Sequence, residues 1–433
     1  MSSMGSQADA VTYYLGSKRR IANVVADATC SLASGGAHAI DLFSGMGSAS
    51  VAMAEHMDVT AVDVQEYSRV MCAALLEEGA PGSDDKFFDS MHVALGRLES
   101  VYGNLMQYEE DALADSEGHA RDISDIIENG CLLPAMDRVP GERLRSLIES
   151  SRAEAATCSL GDTIVRYFGG TYFSYYQAAQ IAAARSALES EEGYARTRLL
   201  AAVIAAASHC GSTIGGQFAQ PLRTVDSKGN IKASAIAKAV SCRSRNVERS
   251  IKDALEEIDA TRVPRRGNQA VRSECLSWLS ANPARADVIY ADPPYSRYHY
   301  SRYYHVLETI ALGDEPEVTP NPATGRPSRG IYRAGRYQSP FSTRTGAGGA
   351  FDSLFERCSL KAPALVLSYS PYPSGRPSTP RMATIDELVR RAGHWFGSVR
   401  VVGVDGVKHS KLTSSKDILE ASPMAEVMLL CRN

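Results

Sequence analysis

Strand-like and helix-like segments alternate near both ends of this chain, and the alternation stops in between. Residues 37–43 ("AHAIDLF") read as an apolar strand, "SGMGS" follows as a turn, and 49–56 carry a helical pattern. A second strand at 59–64 ("VTAVDV") precedes a second helix over 67–78. Strands and helices joined by short links begin a parallel α/β sheet, because parallel neighbours need a crossover that a helix supplies. The rhythm then ceases. Residues 79–258 read mainly as helices, notably 174–188 and 197–209, with polar loops between them. It resumes with the short strand "QAVR" from Gln269, the helix "SECLSWLSA", and the buried-type strand "ADVIYA" at 286–291. Strands at 364–370, 398–404 and 425–431, and a helix at 384–392, follow. The expected architecture is α/β: one doubly wound, Rossmann-like sheet domain (11–78 and 268–433) split by a mainly helical inserted domain (79–267). Residues 316–349, dominated by Gly, Pro, Ser and Arg, read as a long mobile loop.

Charge narrows the partners. The 433-residue chain carries a net charge of −4, so the whole molecule is no electrostatic magnet for a polyanion. The sign is unevenly spread, however. Residues 77–162 are rich in acids, whereas 223–272 hold twice as many basic as acidic residues, and 297–344 are arginine-rich without a lysine. A basic face confined to one stretch can still bind nucleic acid. The nine cysteines are scattered singly, with no CxxC pair. That pattern argues against a metal site or a disulfide framework and for a reducing, cytoplasmic setting. No apolar run resembles a signal peptide or a membrane span.

Gly45 and Gly47 stand at the strand-to-helix turn of "DLFSGMGSAS". Glycine lets the backbone turn tightly and approach a ligand at the start of the next helix. The third position of a dinucleotide fingerprint is Ser50 rather than glycine, which disfavours NAD or FAD. Asp63 ends the second strand, where a carboxylate can accept from both hydroxyls of a ribose. Together they indicate a cofactor that carries a nucleoside.

The sharpest signal is "VIYADPPY". Asp292 follows an apolar strand, at the carboxyl end where open α/β sheets bind ligands. Pro293 and Pro294 have no N–H and hold the chain stiffly, leaving carbonyls and a carboxylate as acceptors. An exocyclic amino group, with two N–H donors, meets that need. Tyr295 adds a flat face for a base.

"YYLGSKRR", "DLFSGMGS" and "ADPPY", in this order, resemble the Dam-like DNA adenine-N6 methyltransferases. Tyr14, Gly16 and Lys18 match that family's first motif, Asp41, Phe43, Gly45 and Gly47 its second, and Asp292, Pro293, Pro294 and Tyr295 its catalytic one. The resemblance implies a Rossmann-like methyltransferase sheet with S-adenosylmethionine as cofactor, double-stranded DNA as partner, and no metal. It implies that Lys18 neutralises the cofactor carboxylate or orders its pocket. It further implies that Glu274 lies near the cofactor's adenine, and that the segment between the two halves of the sheet recognises the target.

Tyr298 and His305, among the aromatics after the tip, are candidates for the base pocket. Arg243, Arg245 and Arg249 are candidates for phosphate contacts. Other readings stay open at this point: methylation of cytosine N4 or of a base in RNA, and a DNA-binding relative without catalysis.

Overall fold

A computed structural model describes residues 21–33, 37–134, 139–370, 381–404 and 426–433. Seven strands form one sheet: β1 (His38–Asp41), β2 (Asp58–Asp63), β3 (Gln269–Arg272), β4 (Val288–Ala291), β5 (Ala364–Tyr369), β6 (Ser398–Val404) and β7 (Glu426–Arg432). Their order is β3-β2-β1-β4-β5-β7-β6. The first five are parallel to one another, and β7 runs antiparallel between β5 and β6. The chain winds outward from β1 through β2 to β3, then returns to place β4 on the other side of β1. The order therefore reverses between β1 and β4, and ligands of open α/β sheets bind at the carboxyl ends of such a pair.

Burial follows the period of two that a pleated strand imposes. Ala39, Val59, Ala61, Val288, Tyr290 and Val366 enter one apolar cluster, and their neighbours Ile40, Val62, Ile289, Leu365 and Leu367 enter a second on the opposite face. β4 and β5 are buried along their whole length, as central parallel strands should be, while β3 and β6 at the edges are largely open to solvent. Each fully buried aliphatic side chain stabilises the fold by about 1.5–3 kcal/mol. Helices Cys275–Ala281, Ala347–Lys361 and Ile385–Ala392 cover the second face.

The first face is covered largely by the segment between β2 and β3, which holds no strand among the described residues. Its helices have legible ends. Ser174 and Gln177 form a reciprocal cap at the start of Tyr175–Ala187, and the Asn246 side chain accepts from Arg249 N–H at 2.7 Å to start Val247–Thr261. The helix Gly193–Cys210 packs on Glu66–Leu76 of the sheet layer, so one apolar cluster runs from Ala39 and Tyr67 into Phe87, Val203 and Ile251. Residues 316–346 contain only a short 3-10 turn at Pro340–Ser342, yet they are tied down. Isolated bridges join Val318 to Arg333 and Pro320 to Pro327, and Tyr167 Oη donates to the Pro316 carbonyl at 2.8 Å. No helix among the described residues is long and apolar enough to cross a membrane.

Candidate active site at the switch point

β1 ends at Asp41 and β4 at Ala291, side by side, and Leu42 N–H prolongs their ladder by donating to the Tyr290 carbonyl at 3.0 Å. The turns leaving these two strands therefore meet at one place. After β1 the chain turns through Gly45 (φ 52°) and Gly47 (φ 81°), both left-handed. Gly45 N–H donates to Asp63 Oδ2 at 3.0 Å, Ser44 N–H to the Val62 carbonyl at 3.2 Å, and Ser68 Oγ to the Gly45 carbonyl. The turn is thus stapled to the end of β2.

A cleft of about 890 Å³ opens there. Phe43, Asp63, Glu274, Asp292, Pro293, Pro294 and Tyr295 all reach its wall, so seven candidates from four strand ends converge. Burial pushes the Asp63 carboxyl above its ordinary value, and hydrogen bonds from the backbone N–H groups of Gln65 and Gly45 only partly offset this. Glu274 caps the helix Cys275–Ala281, accepting from Leu276 N–H at 3.1 Å and Ser277 N–H at 2.8 Å. Burial alone would raise its pKa, but these N–H groups together with the Ser277 hydroxyl outweigh it and hold the carboxyl below its usual range. Tyr295 meets Tyr369 edge-on, with ring centroids 6.1 Å apart, and carries the Arg381 guanidinium 4.5 Å from its own centroid. Arg381 is itself held by Ser370, through the carbonyl at 3.2 Å and the hydroxyl at 2.7 Å.

Asp41, Gly45 and Gly47 stand behind the wall rather than on it. Asp41 is fully buried and accepts from Ser50 Oγ at 2.6 Å, tying the end of β1 to the helix Ser48–Ala54. Burial, reinforced by the nearby charges of Asp292 and Asp63, raises its pKa to about 7 despite that hydrogen bond. Ser50, the residue that departs from the dinucleotide pattern, is thus the partner that Asp41 requires. Tyr14, Gly16 and Lys18 lie outside the described residues.

The five residues expected to contact substrate all lie off the cleft wall. Arg243 is buried, paired with Glu109 and bonded to the Gly170 carbonyl at 2.7 Å, so it faces the core and not a phosphate. Arg245 turns its guanidinium to the His209 carbonyl. Arg249 is exposed but pairs with Asp253 at 2.8 Å on its own helix. His305 is fully buried among Phe168, Tyr172 and Tyr332, with Nε2 at 3.1 Å from the Phe218 carbonyl. Burial holds its pKa down at about 3, so it is a neutral structural residue. Tyr298 packs edge-on against Tyr303 at 5.7 Å, beside the cleft rather than on its wall. For Arg243 and His305 the reason is that residue type signals charge or aromaticity, but not which face of a helix the core claims.

The cleft also uses Gln65, Tyr67, Tyr300, Ser301, Tyr337 and Ser339. Tyr300 belongs to the aromatic run that marks the tip. Tyr337 and Ser339 sit in the irregular arginine-rich stretch, where no periodicity could have singled them out.

The sheet order, the glycine turn and the acceptor-lined cleft define an α/β protein of the Rossmann-like class, consistent with a methyltransferase fold. Residues 268–321, which carry β3, β4 and the tip, match the model for "D12 class N6 adenine-specific DNA methyltransferase". The chain is 34% identical over 121 residues to the modification methylase LlaI of Lactococcus lactis subsp. lactis, a stretch that covers 28% of this chain and 15% of that protein. It is 34% identical over 84 residues to the type II methyltransferase M.FokI of Planomicrobium okeanokoites, covering 19% of this chain and 12% of that protein. The matched stretch is thus a small part of either relative. No solved structure matches.

Proposed function

We propose that the protein is a site-specific DNA methyltransferase that moves a methyl group from S-adenosylmethionine to N6 of an adenine swung out of the duplex. One observation carries the reading: Asp292, Pro293, Pro294 and Tyr295 share a single cleft with Phe43, Asp63 and Glu274. The cleft's aromatic walls and strand-end carboxylates suit a nucleoside, with Asp63 for the ribose hydroxyls and Glu274 toward the adenine. Tyr14, Gly16 and Lys18 complete the cofactor site in this reading, and Asp41, Gly45 and Gly47 shape its turn. The catalytic unit is 11–78 with 268–433, and 79–267 supply target recognition.

The bound donor supplies an electrophilic sulfonium methyl, and the chain's task is alignment. The Asp292 carboxylate and the Pro293 carbonyl accept the two N6 hydrogens, which draws the nitrogen lone pair out of ring conjugation and toward the methyl. Tyr295 stacks on the extruded base. Extrusion costs a few kcal/mol, and stacking worth about 1–3 kcal/mol per base offsets part of it.

The decisive experiment is incubation with labelled S-adenosylmethionine and duplex DNA, single-stranded DNA and RNA, followed by identification of the methylated nucleoside. N6-methyladenine in DNA is expected; N4-methylcytosine or label in RNA alone refutes the assignment. Asp292→Ala should lose at least about 10²-fold in rate, the scale of a lost transition-state hydrogen bond. Its affinity for the cofactor, read by calorimetry, should stay near that of the wild type.

A further inference from the structure

A second hollow, of about 980 Å³, lies between the segment preceding β3 and the arginine-rich run. Arg223, Arg302, Arg329 and Arg336 reach its wall, and among the described residues no carboxylate does. Arg329 is neutralised by Glu128 at 3.0 Å. Arg302 and Arg336 instead both stand 4.8 Å from the centroid of one ring, that of Tyr332, whose hydroxyl is anchored to the Ala219 carbonyl. Arg302 Nε and Arg336 Nη1 are buried N–H donors with no hydrogen-bond partner among the described residues. Two cations held beside one ring, with donors turned away from water, are costly unless an anion joins them. The local field is visible on a neighbour: burial and then the charges of Arg336 and Arg302 hold His299 below its ordinary pKa.

The hollow and the cleft share a wall. Ser301 and Tyr337 line the cleft, while the residues next to them in the chain, Arg302 and Arg336, line the hollow. Ser301 Oγ donates to the Tyr337 carbonyl and closes that wall. The wall is one residue thick, about 3.8 Å from one Cα to the next. Guanidinium forks match the oxygens of a carboxylate or a phosphate, and phosphate is the anion that a DNA strand supplies.

We propose that this hollow binds a backbone phosphate of the DNA strand whose base enters the cleft, with Arg302 and Arg336 as its ligands. The proposal rests on the methyltransferase reading above and adds a site to it.

The test is the salt dependence of DNA affinity for the full chain, with cofactor affinity and thermal melting measured alongside. Arg302→Ala/Arg336→Ala should flatten the log–log salt slope by about 0.9, the share of one phosphate. It should weaken binding to all sequences alike and leave cofactor affinity unchanged. Arg336→Lys should keep most of the slope. An unchanged slope in a double variant that binds cofactor and melts like the wild type overturns the proposal. Should the double variant fail to fold, the wild type decides. Methylphosphonate replacing a phosphate next to the methylated adenine should weaken its binding at least about threefold, and no loss at any flanking position overturns the assignment. A wild type that binds S-adenosylmethionine but methylates no DNA removes the methyltransferase reading itself, and this site with it. A wild type that methylates DNA with an unaltered variant slope removes the phosphate site alone.

Discussion

Gly47 shows how a single residue can govern a cleft it does not line. Its φ of 81° belongs to a region that a β-branched residue avoids, and an added Cβ would stand 3.3 Å from Cys72 Sγ. An L-residue there costs roughly 1–2 kcal/mol before any steric clash. Gly47→Val should therefore displace the turn that positions Phe43 and Asp63. We expect a tenfold or greater loss of cofactor affinity by calorimetry, with only a modest fall in Tm; wild-type affinity would detach the turn from the cofactor site. His305 makes a prediction about pH. Its folded pKa of about 3 lies below the ordinary histidine value near 6.5, so the unfolded chain binds the extra proton between those limits. The neutral buried ring is tolerated above pH 6.5, and stability is lost as pH falls below it, by at most about 1.4 kcal/mol per unit. Asp41, raised to about 7, contributes in the opposite sense, its cost appearing as pH rises toward 7. Comparing wild type with His305→Gln separates the two. The variant should melt lower at pH 7.5 yet lose less Tm than the wild type between pH 6.5 and 5. Equal losses would mean that His305 is protonated in the folded protein.

At the scale of elements, the tip after β4 depends on a partner from far along the chain. Arg381 lies over Tyr295, and Met382 N–H donates to the Tyr295 carbonyl at 3.2 Å, so the stretch after residue 380 braces the stacking platform. A cation–π contact contributes about 0.5–2 kcal/mol, equivalent to a twofold to thirtyfold effect. Arg381→Ala should raise the KM for DNA by a factor in that range with cofactor affinity unchanged, and Arg381→Lys should recover part of it. Steady-state kinetics at saturating cofactor reads both; an unchanged KM removes the bracing role. β4 and β5 were legible because a strand buried on both faces must be a largely apolar run, and β1 and β2 because short apolar stretches precede helical patterns. The helix expected at 384–392 is present as Ile385–Ala392, and the structure shows Thr384 and Glu387 capping it reciprocally. The antiparallel insertion of β7 between β5 and β6 was not legible, because strand order is a long-range property that no local pattern encodes. Nor were the bounds of the 31-residue helix Asp84–Ala114, which lies in a stretch read only as mainly helical. The site was legible where backbone chemistry dictated it, at the glycine turn and at Asp292-Pro293-Pro294-Tyr295. It was illegible at Arg243, whose burial against Glu109 depends on a helix more than a hundred residues away.

For the whole molecule, the question is whether the segment between β2 and β3 is a detachable module. Its position in sequence suggests one, but its packing argues otherwise. The helix Gly193–Cys210 buries Leu199, Val203 and Ala206 in the apolar cluster that also holds Tyr67 and Val70 of the sheet layer. Polar ties cross the same boundary: Tyr194 Oη donates to the Ala74 carbonyl at 2.7 Å, Arg262 to the Glu77 carbonyl at 3.0 Å, and Phe218 N–H to the Tyr303 carbonyl at 2.9 Å. Removing the segment would uncover one whole face of the helix Glu66–Leu76, at about 25 cal/mol for each Å² of apolar surface returned to water. It would also strip Tyr304, which packs on Tyr67 at 5.4 Å, of part of its cover. Exposed apolar patches of that kind drive aggregation. We therefore expect a chain in which a short Gly/Ser linker replaces residues 82–262 to be insoluble, or molten and without cofactor affinity, rather than a minimal catalytic unit. Solubility, near-UV circular dichroism and calorimetry with S-adenosylmethionine together decide it. A soluble, cooperatively melting deletion protein that binds the cofactor would show that the sheet domain carries its own core, and that the segment is an added reader of DNA and no part of the scaffold.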